Sequence, residues 1–309
     1  MNYKTIFILI FSSSFLFNQE VIGEGLYTNE LIDYLNQNYK TNSVLSYGNA
    51  RDILYSEVDN NNGNVYGVYT NYSVTLDPLE DPSVHLYENG MDCEHLWPQS
   101  MYEGTSPMKS DMHHLRPAKS NVNSSRGNKP FDEINDSNTN TWFWLSYSSS
   151  NIPTSNIYEY SESGSYDFEP REDIKGDIAR SMFYFYTMYT NVADTDFFNE
   201  QKDVLLQWHI QDPVNDDEIT RTWAISEYQN DIPNPFILDN TLINRCYFYE
   251  EIEAGDLNED ALINVVDVVI LVNYILGIGE LNAIEQADMD NNSLINVVDV
   301  VLLMNLILR

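Results

Sequence analysis

Between Leu26 and Tyr39 apolar residues recur at helical spacing, which predicts an amphipathic helix near the start of the chain. Val65–Thr70 (VYGVYT) reads as a strand entered from the turn-rich Asp59-Asn60-Asn61-Asn62-Gly63. The longest apolar run of the middle, Ile178–Tyr189 (IARSMFYFYTMY), predicts a buried helix. The serine- and asparagine-rich stretch Ser148–Ser163 predicts an exposed loop. Near the C-terminus two apolar stretches with helical spacing each follow a polar, acidic loop. At the other end, Lys4 precedes an apolar run from Ile6 to Phe17 that is too short to anchor in a bilayer. This basic start, with small Gly23 after Val21, fits a secretory signal over residues 1–23. No later segment is apolar enough to cross a membrane. The expectation is a secreted, extracellular protein with no membrane insertion.

Composition then narrows the function. The chain has 309 residues, 43% of them hydrophobic, which suits two domains and a sizeable core. A formal net charge of −33 argues, on average, against a polyanionic partner such as nucleic acid. That average fails locally. Five of the fifteen bases (Lys109, Arg116, Lys119, Arg126, Lys129) crowd into one stretch with a single acid, Asp111, for a local +4. Two cysteines, Cys93 and Cys246, exclude a disulfide scaffold and a four-cysteine zinc site, and in an oxidising compartment they could pair.

The acidic loops are copies. Residues 256–276 and 288–308 match at thirteen of twenty-one positions with an offset of 32, which is duplication. Each copy places oxygen-bearing side chains at positions 1, 3, 5, 9 and 12 of a twelve-residue loop: Asp256, Asn258, Asp260, Asn264 and Asp267, then Asp288, Asp290, Asn292, Asn296 and Asp299. A hard cation with six or more oxygen ligands needs that supply from one short loop, and Ca2+ is the usual occupant. The doubled loop-then-helix unit resembles a type I dockerin, a duplicated calcium module that plugs into cohesin domains. Position 6, usually glycine, is Ala261 in one loop and Ser293 in the other. Val265-Val266 recurs as Val297-Val298 at positions 10 and 11, where the resemblance implies contact with a cohesin-type partner. The acidic stretch Glu250–Gly255 sets the boundary: a domain over 24–250, a linker over 251–254, and the repeat domain over 255–309.

The chemistry concentrates between Asp92 and Phe131, in the basic stretch, with Glu94, His95, Asp111, His113, His114 and Asn123 close together. Phosphodiester hydrolysis needs an activated water, a cation to neutralise developing charge, and a positive clamp. His95 is the candidate general base, because an imidazole titrates near neutral pH. Glu94 and Asn123 offer the hard oxygens that Mg2+ (or Mn2+) prefers. Adjacent residues on a strand point to opposite faces, so Glu94 and His95 should lie at a strand end or bulge, with Asn123 from a helix that Ser120 or Asn121 caps. Five tryptophans read as core, and the 22 tyrosines carry no functional reading.

Three blocks in order, Glu94-His95 with Trp97-Pro98, Ser110-Asp111-Met112-His113-His114-Leu115, and Val122-Asn123 with Arg126-Gly127-Asn128, closely resemble the endonuclease I family of secreted nucleases. Later pieces, among them Lys175-Gly176-Asp177, Glu218 with Arg221, and Asn234-Pro235-Phe236, look like that family too, over roughly residues 26 to 250. The resemblance implies an α+β, ββα-metal (His-Me finger) nuclease domain followed by a small all-α, EF-hand-like dockerin module. It implies His95 as general base, Glu94 and Asn123 as metal ligands, and 5′-phosphate products. The family's transition-state arginine sits in a longer insertion that this chain lacks, and Arg116 is the preferred substitute. Lys109, His114, Lys119 and Arg126 are the candidate substrate contacts. The expected protein is a monomeric, metal-dependent endonuclease acting on DNA, and on RNA as a possible second substrate. The rival reading is an inactive nuclease-like binding component whose dockerin module mediates assembly.

Overall fold

A computed structural model describes residues 21–249, 253–258, 260, 262–281 and 283–308. Most of the expected leader, residues 251–252 of the expected linker, and Ala261 lie outside the described residues. Contacts divide the chain into two compact units, Met1–Phe248 and Tyr249–Arg309.

The first unit is α+β. Helix α1 (Thr28–Tyr39) buries Leu31 and Leu35 on one face, as its apolar spacing requires. Helix α2 (Tyr47–Ile53), capped by the Ser46 side chain, runs into a wide turn over Leu54–Val58. Short strands β1 (Asn60–Asn61), β2 (Asn64–Tyr66) and β3 (Ser73–Thr75) pair antiparallel in that order. Helix α3 (Pro82–Glu88), with Pro82 in its first turn and Asp81 as cap, leads into β4 (Met91–His95). Strand β5 (Leu115–Lys119) pairs antiparallel with β4, and α4 (Ser120–Arg126) follows at once. A third antiparallel sheet, ordered β7-β6-β8-β9, comprises β6 (Thr141–Trp144), β7 (Tyr147–Ser149), β8 (Ser161–Ser163) and β9 (Phe168–Glu169). Helices α5 (Lys175–Met188), α6 (Thr195–Gln211), α7 (Asp216–Ser226), α8 (Pro235–Leu238) and α9 (Leu242–Tyr247) complete the unit.

The predicted helix over Ile178–Tyr189 is the heart of the main core: α5 is buried almost all round and packs against α6. Two expectations need correction. VYGVYT is a strand only as far as Tyr66. Gly67 then turns the chain, with Thr70 N–H donating to its carbonyl (3.2 Å), because Val68 N–H is drawn to Pro117 O on β5 (2.8 Å). A Cβ on Gly67 would lie 3.1 Å from the Lys119 backbone nitrogen, so any side chain there would push the turn a few tenths of an ångström from β5. The expected loop Ser148–Ser163 ends in a buried strand, β8, which the polar Ser-Glu-Ser run does not betray. Cys93 and Cys246 are separate free thiols. At the chain start, Ile22 is buried; its N–H donates to Asp239 Oδ2 (2.9 Å) and its carbonyl accepts from Arg245 (2.9 Å). Trp97, Trp142 and Trp208 are core, while Trp223 is exposed.

The second unit is all helical: α10 (Val265–Ile275), α11 (Ile284–Ala287) and α12 (Val297–Ile307). Leu257, Leu271, Leu281, Ala287, Val300 and Leu303 form its core. Among the described residues no helix is long and apolar enough to cross a membrane.

Candidate active site

Strands β4 and β5 with α4 make the ββα unit that the motif blocks imply. His95 is the last residue of β4, and the register sets Glu94 opposite Arg116 and His95 opposite Leu115. The two neighbours meet different surroundings, as adjacent strand positions must. Glu94 is buried, its Oε1 accepting from the Tyr69 hydroxyl (2.6 Å) and lying 3.3 Å from Arg126 Nη1. Burial raises its pKa, while Arg126, the Tyr69 hydroxyl and the His95 backbone N–H pull the other way. Asn123, half-buried, stands in the first turns of α4, which packs on β4. Neither Ser120 nor Asn121 caps this helix. Lys119 occupies the cap position without a side-chain bond, and Asn121 accepts from Lys119 Nζ instead (2.7 Å).

The hydrogen bonds of His95 select a tautomer. Nε2 lies 3.1 Å from the Lys109 carbonyl, which can only accept, so Nε2 carries the proton. Nδ1 then holds the lone pair, with the exposed Gln99 amide 3.3 Å away. Burial, with His114 close by, pushes the His95 pKa down to about 3, so the ring is neutral at any ordinary pH.

The structure separates the other candidates by burial. Lys109 and Lys119 are half-buried, with their ammonium groups 5.1 and 5.3 Å above the rings of Tyr47 and Tyr72. His114 is wholly buried: Nε2 donates to Met108 O (2.7 Å), and the ring packs on Phe185 (4.6 Å) and edge-on to His95 (5.4 Å). Arg126 is 0% exposed and binds backbone carbonyls, Nη2 to Leu96 O (2.7 Å) and Nη1 to His95 O (3.3 Å). His114 and Arg126, two of the expected substrate contacts, are thus both enclosed by the protein's own groups. Asp111 is likewise internal, accepting from Tyr184, Tyr189, Gln229 and the His113 backbone. His113 Nε2 is engaged by Ile232 O (3.0 Å).

Arg116 is partly exposed, with Nη2 3.2 Å from Asp177 Oδ2 and Nε unpartnered. It lines a cleft of about 730 Å³ with Arg171 and Arg221, each held by a carboxylate: Arg221 by Asp59 (2.7 Å) and Arg171 by Asp173. Tyr69, Gln99 and this cleft escaped the sequence reading. Only the Glu218–Arg221 motif hinted at the last.

In the second unit, Asp288, Asp290 and Asp299 bring ligand oxygens within 4.8 Å of one another. Asn264 and Asn296 are also helix caps, each in a capping box with Asp267 or Asp299, so loop positions 9 and 12 start the helices they precede. Val265 and Val297 are both 67% exposed, and Val266 and Val298 both 47%. The duplicated pair thus presents two matching apolar spots.

Comparison with known proteins agrees with this geometry. The family described as Endonuclease I matches residues 26–241, and the Dockerin type I domain matches residues 254–308. An extracellular ribonuclease of Bacillus subtilis (strain 168) is 33% identical over 233 residues, covering 70% of this chain and 73% of that protein. An extracellular ribonuclease of Bacillus amyloliquefaciens is 32% identical over 162 residues, covering 47% of this chain and 49% of that one. The chain belongs to the endonuclease I family of nucleases, phosphodiester hydrolases, and carries a type I dockerin domain behind the nuclease.

Proposed function

We propose that this nuclease cuts nucleic acid with Nδ1 of His95 as general base, a magnesium-type cation on Glu94 and Asn123, and Arg116 as the charge-stabilising guanidinium. The observation that carries the reading is the His95 tautomer: Nε2–H is tied to the Lys109 carbonyl, so Nδ1 holds the lone pair, which the exposed Gln99 amide meets at 3.3 Å and which a water would take in its place. The donors suit a hard divalent cation, since a buried carboxylate and a carboxamide are oxygen ligands and a cation offsets the burial of Glu94. A bound cation would neutralise charge on the scissile phosphate and leaving oxygen. His95 takes the proton of the attacking water at Nδ1, and the incoming phosphate raises the low basicity that burial imposes. The Lys109 carbonyl holds the imidazolium in place. Arg116 stands across the register from Glu94, and residues directly opposite in an antiparallel pair share a face. Lys109 and Lys119 contact the nucleic-acid backbone.

DNA and RNA share the scissile phosphodiester, and the relatives described as extracellular ribonucleases favour RNA alongside DNA. Those relatives and the dockerin support a secreted enzyme, attached to a cohesin-type protein through calcium-loaded loops and the exposed Val265-Val266 and Val297-Val298 pairs. The test is cleavage of plasmid DNA and of RNA, with and without chelator, by the parent and His95→Ala. Removal of a general base should lower the rate by roughly 100- to 10,000-fold. A variant that keeps more than a few per cent of the parent rate would refute the assignment.

A further inference from the structure

Tyr69 reaches Glu94 by an improbable route. The Gly67–Thr70 turn, hooked onto β5 by Val68 N–H, carries the Tyr69 side chain into the core, where its ring packs on Phe168 (4.8 Å). Its carbonyl is fixed as well, by the Ser161 hydroxyl (2.6 Å) on β8. The phenol, 0% exposed, donates to Glu94 Oε1 at 2.6 Å. Arg126 meets the same oxygen at 3.3 Å while gripping the carbonyls of His95 and Leu96, and its guanidinium rests on the Phe131 ring at 4.6 Å. A buried phenol donor and a buried guanidinium in ion-pair contact therefore converge on Oε1, and Oε2 receives neither.

We infer that Tyr69 and Arg126 are positioning residues that dictate which oxygen of Glu94 meets the cation. By occupying Oε1 they stop the carboxylate from rotating and turn Oε2 outward as the ligand. Arg126 adds a second constraint, because one guanidinium holds both the carboxylate and the two successive carbonyls of His95 and Leu96. A phenol buried only for packing would not need its hydroxyl on a carboxylate that is itself buried. The inference rests on the reading of Glu94 as a cation ligand given above.

The test uses the full chain with calcium present to fill the dockerin loops, and follows free Mn2+ by electron paramagnetic resonance during titration. The component lost in Glu94→Gln reports the nuclease site. Tyr69→Phe, which removes one oxygen and keeps the ring, should weaken that component by roughly ten- to a hundredfold, the usual effect of losing a partner of a metal ligand. Its turnover should recover at high Mn2+, its KM for nucleic acid should stay unchanged, and its circular dichroism without cation should match the parent. Arg126→Lys, which keeps the charge and loses the fork, should weaken Mn2+ in the same direction. Parental Mn2+ affinity in a folded Tyr69→Phe overturns the inference and leaves Glu94 untouched. A Glu94→Gln chain that binds Mn2+ as the parent does removes the ligand reading, and the inference with it.

Discussion

The two units build their oxygen sites by opposite means. In the C-terminal unit, five candidate donors of a calcium loop lie within twelve residues, and Asn296 and Asp299 also cap the helix that follows. Ligand supply and local folding are the same act there. In the nuclease unit nothing is local. Glu94 depends on a tyrosine 25 residues earlier, His95 on a carbonyl 14 residues later, and its own carbonyl on an arginine 31 residues later. The first kind of site is a property of a segment, and the second is a property of a packed core.

That contrast predicts a double dissociation as the largest effect. Asp299→Ala removes a wholly buried carboxylate that accepts from Met289 and Asn296 N–H and faces Asp288 and Asp290. It should eliminate one of two calcium equivalents in titration calorimetry, while cleavage stays within about twofold of the parent, as substitutions without shared partners combine independently. His95→Ala should do the reverse. A chain in which either substitution damages both activities would show the sites to be coupled and the comparison to be wrong.

Acid should separate the units next. His95 and His114 have pKa values pushed down to about 3 and about 4, and that of His113 is also lowered, in each case first by burial. The unfolded chain takes up these protons below about pH 6.5, whereas the folded chain does so only at the depressed values. Their contribution to stability is therefore present above about pH 6.5 and is lost as pH drops, by about 2 kcal/mol each for His95 and His114 at pH 5. The half-buried His85, whose pKa its hydrogen bond to Glu80 raises, and the carboxyls of Glu162, Glu169 and Asp177, which burial raises, work in the opposite sense. The second unit contains no histidine. Heat scans in calcium at pH 7 and pH 5 should show the parent's nuclease transition falling further, or rising less, than that of His95→Ala, with the other transition nearly fixed. Equal displacement in parent and variant would contradict the histidine origin.

The same contrast explains what could be read from the residues alone. The calcium loops were legible because position, ligand type and cap all sit in one twelve-residue pattern. Glu94, His95 and Asn123 could be named as candidates because motif blocks in order mark them, and the strand end expected at the Glu94-His95 pair is where β4 stops. The direction of Arg126 could not be read, since a basic residue in a basic stretch looks like a phosphate contact until the carbonyls of His95 and Leu96 are seen around it. Tyr69 lay hidden among 22 tyrosines. Only the turn at Gly67, forced by the approach to β5, gives it a carboxylate to hold. Strand β8 was missed because its serines satisfy tertiary partners, Tyr69 O and Ser125 Oγ, in place of an apolar pattern.

The smallest predicted effect lies inside one calcium loop. Ser293 adopts φ +64°, a left-handed conformation that favours glycine, and its N–H donates to Asp288 Oδ2 (2.6 Å) as the loop closes on its first ligand residue. A side chain in that conformation costs about 1 kcal/mol relative to glycine. Ser293→Gly should therefore tighten calcium at the second loop by about fivefold, with the 1.4 kcal/mol-per-decade conversion setting the scale. The first loop and nucleic-acid cleavage should not move. Because the cost is a backbone term confined to one residue, it tests locality more sharply than removing a ligand does. Unchanged second-loop affinity in calorimetry would mean that the turn at Ser293 is relaxed, and that loop closure draws on packing beyond the twelve residues.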